Sequence, residues 1–298
     1  LNFYIVDVFA EEKYTGNQLA IFRGAQSMSD KEMQRLAKEM NYSETTFIMA
    51  EEARPAINGG NQLGYEVRIF TPTAEVPFAG HPTLGTAYLI QREIIKQSVE
   101  TVVLNLQAGQ IPVTLNYKNG NPDILWMRQL PPQFGKTFDP TDIAPLLSLD
   151  RFAIDDKFPI QEVSTGLPFI IVPLRTLNSI KQCHINQERL AAFERSQPKA
   201  FLVFCPETYH LQNDLNVRMF GDDYGVPEDP ATGSGNGCLA GYLVQHHYYE
   251  TNSIDIRVEQ GYEIGRPSLL LLKAQKENDQ IKVSVGGKVI MVAKGELI

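Results

Sequence analysis

Cysteine is scarce in this chain and carries no pattern. The three residues present, Cys183, Cys205 and Cys238, are odd in number and lack CxxC spacing, which excludes a disulfide framework and a cysteine-based zinc knuckle. Each is expected to be a reduced, buried thiol. Positive charge is also in short supply: 27 Lys and Arg stand against 35 Asp and Glu, a formal net charge of −8. No global field draws phosphate backbones or acidic membranes, so neither nucleic acid nor membrane is expected as a partner. Long hydrophobic runs are missing as well, none approaching the ~18 residues of a membrane span. The opening stretch from Asn2 to Phe9 alternates as a strand does, without the basic start and apolar core of a secretory signal. A soluble, cytoplasmic protein is the expectation. Histidines are few and not spaced as ligands: His246 and His247 are adjacent, point apart on a helix and are expected at the surface, while His184 and His210 have no ligand-spaced neighbours. No metal is expected.

What is present is ordinary globular material. The 298 residues are 43% hydrophobic and 21% charged, enough for two compact domains. A hidden duplication divides them. Thr15-Gly16-Asn17-Gln18-Leu19-Ala20-Ile21-Phe22 matches Thr165-Gly166-Leu167-Pro168-Phe169-Ile170-Ile171-Val172, and Arg68-Ile69-Phe70 matches Arg218-Met219-Phe220, both at an offset of 150 positions. Two independent matches at one offset point to a repeated unit.

Between these anchors each half carries an amphipathic helix pattern and then an apolar strand: Ser29 to Met40 followed by Thr46 to Met49, and Asn186 to Arg195 followed by Ala200 to Phe204. Ser29 and Asn186 are N-cap candidates, and only Ser29, with Glu32 three residues on, completes a capping box. After each Arg-x-Phe strand come a Pro-containing turn and a helix of small residues, Pro82 to Ile90 and Ser234 to Gln245. Asn119-Gly120 and Gly286-Gly287 punctuate apolar runs as turns. The Pro- and Asp-rich stretch from Gln129 to Pro159 is expected to cross between halves. The reading is an α+β fold of two pseudo-symmetric halves, residues 1–128 and 129–298, each a mixed sheet or barrel wrapped round a central helix. Strands after about residue 280 are candidates to return to the first half.

The equivalent turns, Glu75-Val76-Pro77-Phe78-Ala79-Gly80-His81-Pro82-Thr83 and Glu228-Asp229-Pro230-Ala231-Thr232-Gly233-Ser234-Gly235, each lead into a helix. Free N–H groups and the macrodipole make a helix start attractive to anions even in an acidic chain. Two starts related by a pseudo-dyad would suit a carboxylate-bearing substrate between the halves. Gly235-x-Gly237-x-x-Ala240 imitates a dinucleotide fingerprint, but about a dozen polar and Pro-containing residues separate it from the preceding strand, where a Rossmann turn follows its strand directly. Around Ser234, Thr232 and Asn236 occupy the glycine positions of Gly-x-Ser-x-Gly, so a hydrolase elbow fails too.

Asn41-Tyr42-Ser43-Glu44-Thr45-Thr46-Phe47, Phe78-Ala79-Gly80-His81-Pro82-Thr83, Glu228 to Ser234, and Gln260-Gly261 with Gly265-Arg266-Pro267-Ser268 together resemble the PhzF family of phenazine-biosynthesis proteins, which has the diaminopimelate epimerase fold. The motifs fall in order over nearly the whole chain. The resemblance implies two pseudo-symmetric halves, commonly a homodimer, and cofactor-independent isomerisation in which a glutamate shifts a proton on a dihydro-hydroxyanthranilate with help from a histidine and an aspartate. On this sequence those are Glu44, His81 and Asp229. Gly80 and Ser234 match positions lining the site, and Thr83, Thr232 and Gly233 are further candidates for substrate binding. Epimerases of the wider fold use two cysteines at the helix starts. Ala79 and Thr232 stand there instead, so two-base chemistry by thiols is not expected, and Cys238, inside the second helix, is no replacement.

The chemistry stands without the family. A carboxylate serves as base and then acid on one substrate face if partial burial raises its pKa, and Glu44 precedes an apolar strand that would enclose it. His81 at a helix start is disfavoured as imidazolium and would relay a proton or polarise a substrate group. Taken singly, Glu44 reads as a solvated carboxylate, His81 as a capping residue and Asp229 as a turn former. A binding or regulatory protein on the same scaffold is the competing function, and a dinucleotide-dependent oxidoreductase a weaker one. Arg266 and Tyr262 are candidates to tune specificity.

Overall fold

A computed structural model describes residues 1–55, 62–193, 200–221 and 226–298. The chain divides into two compact units, one of Leu1–Arg128 with Gly286–Ile298 and one of Gln129–Val285. Among the described residues no helix is long and apolar enough to cross a membrane.

In the first unit the strands run in the spatial order Val289–Glu296, Asn2–Val8, Asn17–Arg23, Glu44–Ile48, Leu63–Phe70, Thr101–Leu106, Gly109–Lys118 and Asn121–Arg128. The third and fourth of these are parallel, as are the fifth and sixth, and the remaining neighbours are antiparallel. The second unit repeats the alternation: Ile160–Ser164 runs antiparallel to Pro168–Pro173, which is parallel to Ala200–Cys205, antiparallel in turn to Leu215–Gly221. That last strand is parallel to Ser253–Gln260, which is antiparallel to Ser268–Glu277. The fold class is therefore α+β with mixed sheets.

The central strands, Asn17–Arg23 and Glu44–Ile48 in the first unit and Pro168–Pro173, Ala200–Cys205 and Leu215–Gly221 in the second, are covered on both faces and buried nearly throughout. One face holds a helix enclosed along its length. Every residue of Gly80–Leu89 is buried, as are eleven of the thirteen in Gly233–Gln245. Such a helix has no polar side, which small residues permit: a Cβ on Gly85 would strike Leu19 and Val8, and one on Gly235 would strike Leu202. On the opposite face of the first sheet lies the amphipathic helix Asp30–Met40, set by the capping box of Ser29 and Glu32 and ended by Asn41 in a left-handed conformation. Its Met33 and Ala37 pack with Phe22, Phe47 and Phe70, the first two rings stacked 5.2 Å apart.

The duplicated sequence signals have physical counterparts. Gly16 and Gly166 both take positive φ, which explains the repeated Thr-Gly. Arg68 grips Glu75 through Nε and Nη2 at 2.8 and 2.6 Å, and Arg218 grips Glu228 in the same manner at 2.8 and 2.7 Å. Each guanidinium also lies over the ring two residues on, Phe70 at 5.1 Å and Phe220 at 4.8 Å. The repeated Arg-x-Phe thus ties a sheet strand to the segment that enters the central helix.

Several expectations are corrected. The first central helix starts two residues earlier, at Gly80, and runs into a π-helical turn at Ile90–Ile95. The stretch from Gln129 to Pro159 is no bare crossing: it holds the strand Gln133–Phe138 and the helix Pro140–Leu146, capped by Asp139, because its Pro and Asp sit at helix-start positions. Asn186 does cap a helix, but that helix ends at Ala192, and residues 194–195 of the expected span lie outside the described residues. Gly286-Gly287 ends a strand rather than forming the turn, while Asn119 and Gly120 both take the positive φ of a tight hairpin. His246 is half-buried, its Nε2 2.8 Å from Gln161 Oε1 and its ring against Tyr242, because the last turn of the second helix still packs on the sheet.

The two arginine clamps differ in enclosure, which predicts unequal costs. The Arg218 side chain is 9% exposed and its Nη1 also donates to the Ile180 and Cys183 carbonyls, whereas Arg68 is 23% exposed and its Nη1 bonds the solvated Asp30. Arg218→Met should cost ~3–5 kcal/mol and Arg68→Met about 1 kcal/mol. Urea midpoints check the ranking, and equal losses would contradict it.

Candidate active site

In the first unit, Glu44 opens the strand Glu44–Ile48 and His81 is the second residue of the central helix. Side chains two apart on a strand share a face, so Glu44 and Thr46 both turn toward that helix. The Thr46 and Thr86 hydroxyls meet at 2.9 Å and pin strand to helix. One turn and a half back along the helix, His81 Nε2 lies 3.5 Å from Glu44 Oε2. The imidazole is 5% exposed and the carboxyl 20%, so the pair is enclosed on the imidazole side and reachable on the carboxyl side.

Burial pushes the His81 pKa down to about 3, opposed only in part by a hydrogen bond with the backbone of Gln18. The ring is neutral at physiological pH. The cause is desolvation, where the sequence pointed to the helix dipole. A neutral imidazole beside a carboxyl group can orient it without placing a cation in the enclosed site or competing for its proton.

Gly80, buried, begins the helix, and its N-cap Ala79 provides no side-chain hydrogen bond to the first turn. Thr83 is fully buried and donates its hydroxyl proton to the Ala79 carbonyl at 2.7 Å. That hydroxyl locks the helix start.

In the second unit, Asp229 ends the strand Val226–Asp229 and is buried, and Thr232 is the N-cap of Gly233–Gln245. The Thr232 hydroxyl donates to Asp229 Oδ2 at 2.6 Å instead of capping the helix. Gly233 is buried and Ser234 half-buried in the first turn, at the place His81 holds in the first unit. Sequence reasoning quoted Gln260 and Asn236 without giving them a role. Both are fully buried: Gln260 Oε1 accepts from Thr232 N at 3.2 Å and Asn236 Nδ2 at 2.9 Å, and its Nε2 donates to the Asp229 carbonyl at 2.8 Å and to Thr232 Oγ1 at 3.0 Å. The available signal was a polar residue at the buried end of an alternating strand.

Tyr262 stacks on Tyr209 at 4.5 Å and 7°, and Arg266 closes a turn by donating its backbone N–H to the Gly261 carbonyl. Cys183, Cys205 and Cys238 are buried, with thiols pushed up to about 12 mainly by desolvation. At neutral pH none is a nucleophile. Among the described residues, no group of three or more His, Cys, Asp and Glu could hold a metal ion.

A family model described as phenazine biosynthesis-like protein matches residues 6–295. The trans-2,3-dihydro-3-hydroxyanthranilate isomerase of Pseudomonas fluorescens is 33% identical over 298 residues, spanning 100% of this chain and 99% of its own length. A PhzF-family phenazine biosynthesis protein of Bacillus anthracis superposes with a TM-score of 0.88 at 25% identity, covering 100% of this chain and 99% of its own. A probable proline racemase of Agrobacterium radiobacter, 11% identical over 100% of this chain and 92% of its own, has a TM-score of 0.64 and shares the fold.

The state of His81 is measurable. A histidine freed by unfolding titrates near 6.5, while the folded ring takes its proton only near pH 3. Between those values the unfolded chain binds the extra proton. The contribution of this group to stability is complete above about pH 6.5 and is lost as pH falls, by at most ~1.4 kcal/mol per pH unit. Urea titrations of the parent and of His81→Asn should diverge less at pH 5 than at pH 7, and ring-nitrogen NMR should show His81 neutral at pH 5. A ring protonating near 6.5 would contradict the burial argument.

Proposed function

Since the chain belongs to the PhzF family of phenazine biosynthesis-like proteins, we propose that it is a cofactor-independent isomerase that moves a proton on a small carboxylate-bearing metabolite, with Glu44 as general base and acid. The observation that carries this reading is the 3.5 Å approach of Glu44 Oε2 to a buried, neutral His81. A Glu44 carboxylate takes the proton from a substrate C–H, the electron pair delocalises into the substrate's unsaturated system, and the same carboxyl returns the proton to another carbon. No electron leaves the substrate, so the reaction balances without a redox partner. His81, neutral and enclosed, orients the Glu44 carboxyl from the inner side and takes no proton itself, since Glu44 has already returned to the substrate the proton it took. Asp229, with Thr232, Gly233 and Ser234, is assigned to substrate binding.

The substrate class follows from two supports, the anion-favouring helix starts and the likeness to an isomerase named for trans-2,3-dihydro-3-hydroxyanthranilate. Incubating that acid with the protein in deuterated water should place deuterium at a carbon-bound position. Glu44→Gln should slow the exchange by ~10²-fold or more, the usual contribution of a general acid–base group. Equal exchange by both proteins would overturn the assignment, and thermal stabilisation by the acid without exchange would mark a binding protein instead.

A further inference from the structure

The Gln260 amide is oriented by the backbone and so sets a direction for every hydrogen bond that follows it. Its Oε1 faces the Thr232 N–H, which can only donate, and its Nε2 faces the Asp229 carbonyl, which can only accept. Both contacts would be lost if the amide were flipped. The second Nε2 proton therefore goes to Thr232 Oγ1 at 3.0 Å, and that hydroxyl, already accepting, sends its single proton to Asp229 Oδ2. The 2.6 Å separation is that of a charge-assisted O–H···O⁻ bond. Asn236 closes the far end by donating Nδ2 to Gln260 Oε1 at 2.9 Å and to the Thr232 carbonyl at 3.0 Å.

The reach of Gln260 is itself built in. Gly261 follows it at φ +80, and a Cβ there would meet the Pro230 carbonyl at 2.6 Å. Only glycine lets the strand end come against the Asp229-Pro230 turn. The neighbouring charge on Glu228 is taken up by Arg218 at 2.7 Å, and within this network the Thr232 hydroxyl donates to Asp229 Oδ2.

We infer that Gln260 is a positioning residue: acting through Thr232, it commits Asp229 to accepting hydrogen bonds, so that in the reaction proposed above Asp229 holds the substrate and does not supply a proton. The inference rests on that reading for its catalytic meaning, and it explains why a threonine occupies the N-cap without capping. A hydroxyl donating into a carboxylate favours the charged form, and its removal lets the carboxyl retain a proton to higher pH.

The test uses the full-length protein with ¹³C-labelled aspartate side chains. In Thr232→Val, which keeps the shape and deletes the proton, the Asp229 carboxyl should titrate about one pH unit higher than in the parent, the scale of one charge-assisted bond. Gln260→Met, which removes the amide that donates to Thr232 without adding a charge, should give a shift of the same sign. Thr232→Ser, which retains the hydroxyl, should restore the parent value, and this rescue separates positioning from mere packing. With the dihydro-hydroxyanthranilate probe, the acidic limb of the exchange rate should move with the carboxyl. An Asp229 titration unchanged in Thr232→Val, or a shift that Thr232→Ser fails to reverse, would overturn the inference whatever the activity. A reversed shift in a protein that exchanges no deuterium would instead sink the isomerase reading and leave the acceptor role of Asp229 standing.

Discussion

A helix with no exposed side must be made of residues that a sheet can approach closely, and its first turn must find partners other than water. That constraint shapes both units. Gly80–Leu89 and Gly233–Gln245 lie against their sheets at glycines where any larger residue would collide with Leu19 or Leu202. Because the helices are enclosed, the polar groups at their starts are held in fixed, low-dielectric surroundings, where hydrogen bonds and charges weigh more than in water. Residues named in the proposed reaction, His81 in one unit and the substrate-binding Asp229 and Thr232 in the other, sit at or beside those starts.

The duplication persists as physics more than as sequence. Few residues remain the same, yet both units keep the alternation of parallel and antiparallel strands, the positive-φ glycine after threonine and the guanidinium gripping a carboxylate just before the central helix. The bidentate grip fixes where the chain enters the helix and so where the helix begins. What has diverged is the first turn itself. In one unit it presents a buried imidazole to a carboxyl from the neighbouring strand; in the other, a hydroxyl turned away from the helix toward an aspartate. The scaffold is shared, and the two chemistries are different.

Burial is what gives His81 its character. An exposed imidazole would carry a proton for part of the time near neutrality, whereas this one is kept neutral by desolvation. Glu44, more open, faces it from the strand that the Thr46–Thr86 contact ties to the helix. A neutral partner that does not compete for the proton leaves Glu44 free to take one from a substrate and return it.

The chain alone determined whatever depends on near neighbours. The capping box at Ser29, the left-handed turn at Asn119-Gly120, the repeated Thr-Gly and Arg-x-Phe and the small-residue helices all follow from local sterics and short-range hydrogen bonds. Tertiary structure decided the rest. Pro and Asp between 129 and 159 read as a crossing between halves because their turn-forming chemistry is also that of helix starts, and only packing distinguishes the two. His246 looked like a surface residue because adjacency says nothing about which ring the sheet will cover. The approach of Glu44 to His81, the depressed basicity of that ring and the bridge from Gln260 to Asp229 join residues far apart in the chain. Desolvation and long-range hydrogen bonds are properties of the assembled surroundings, which no single stretch of sequence contains.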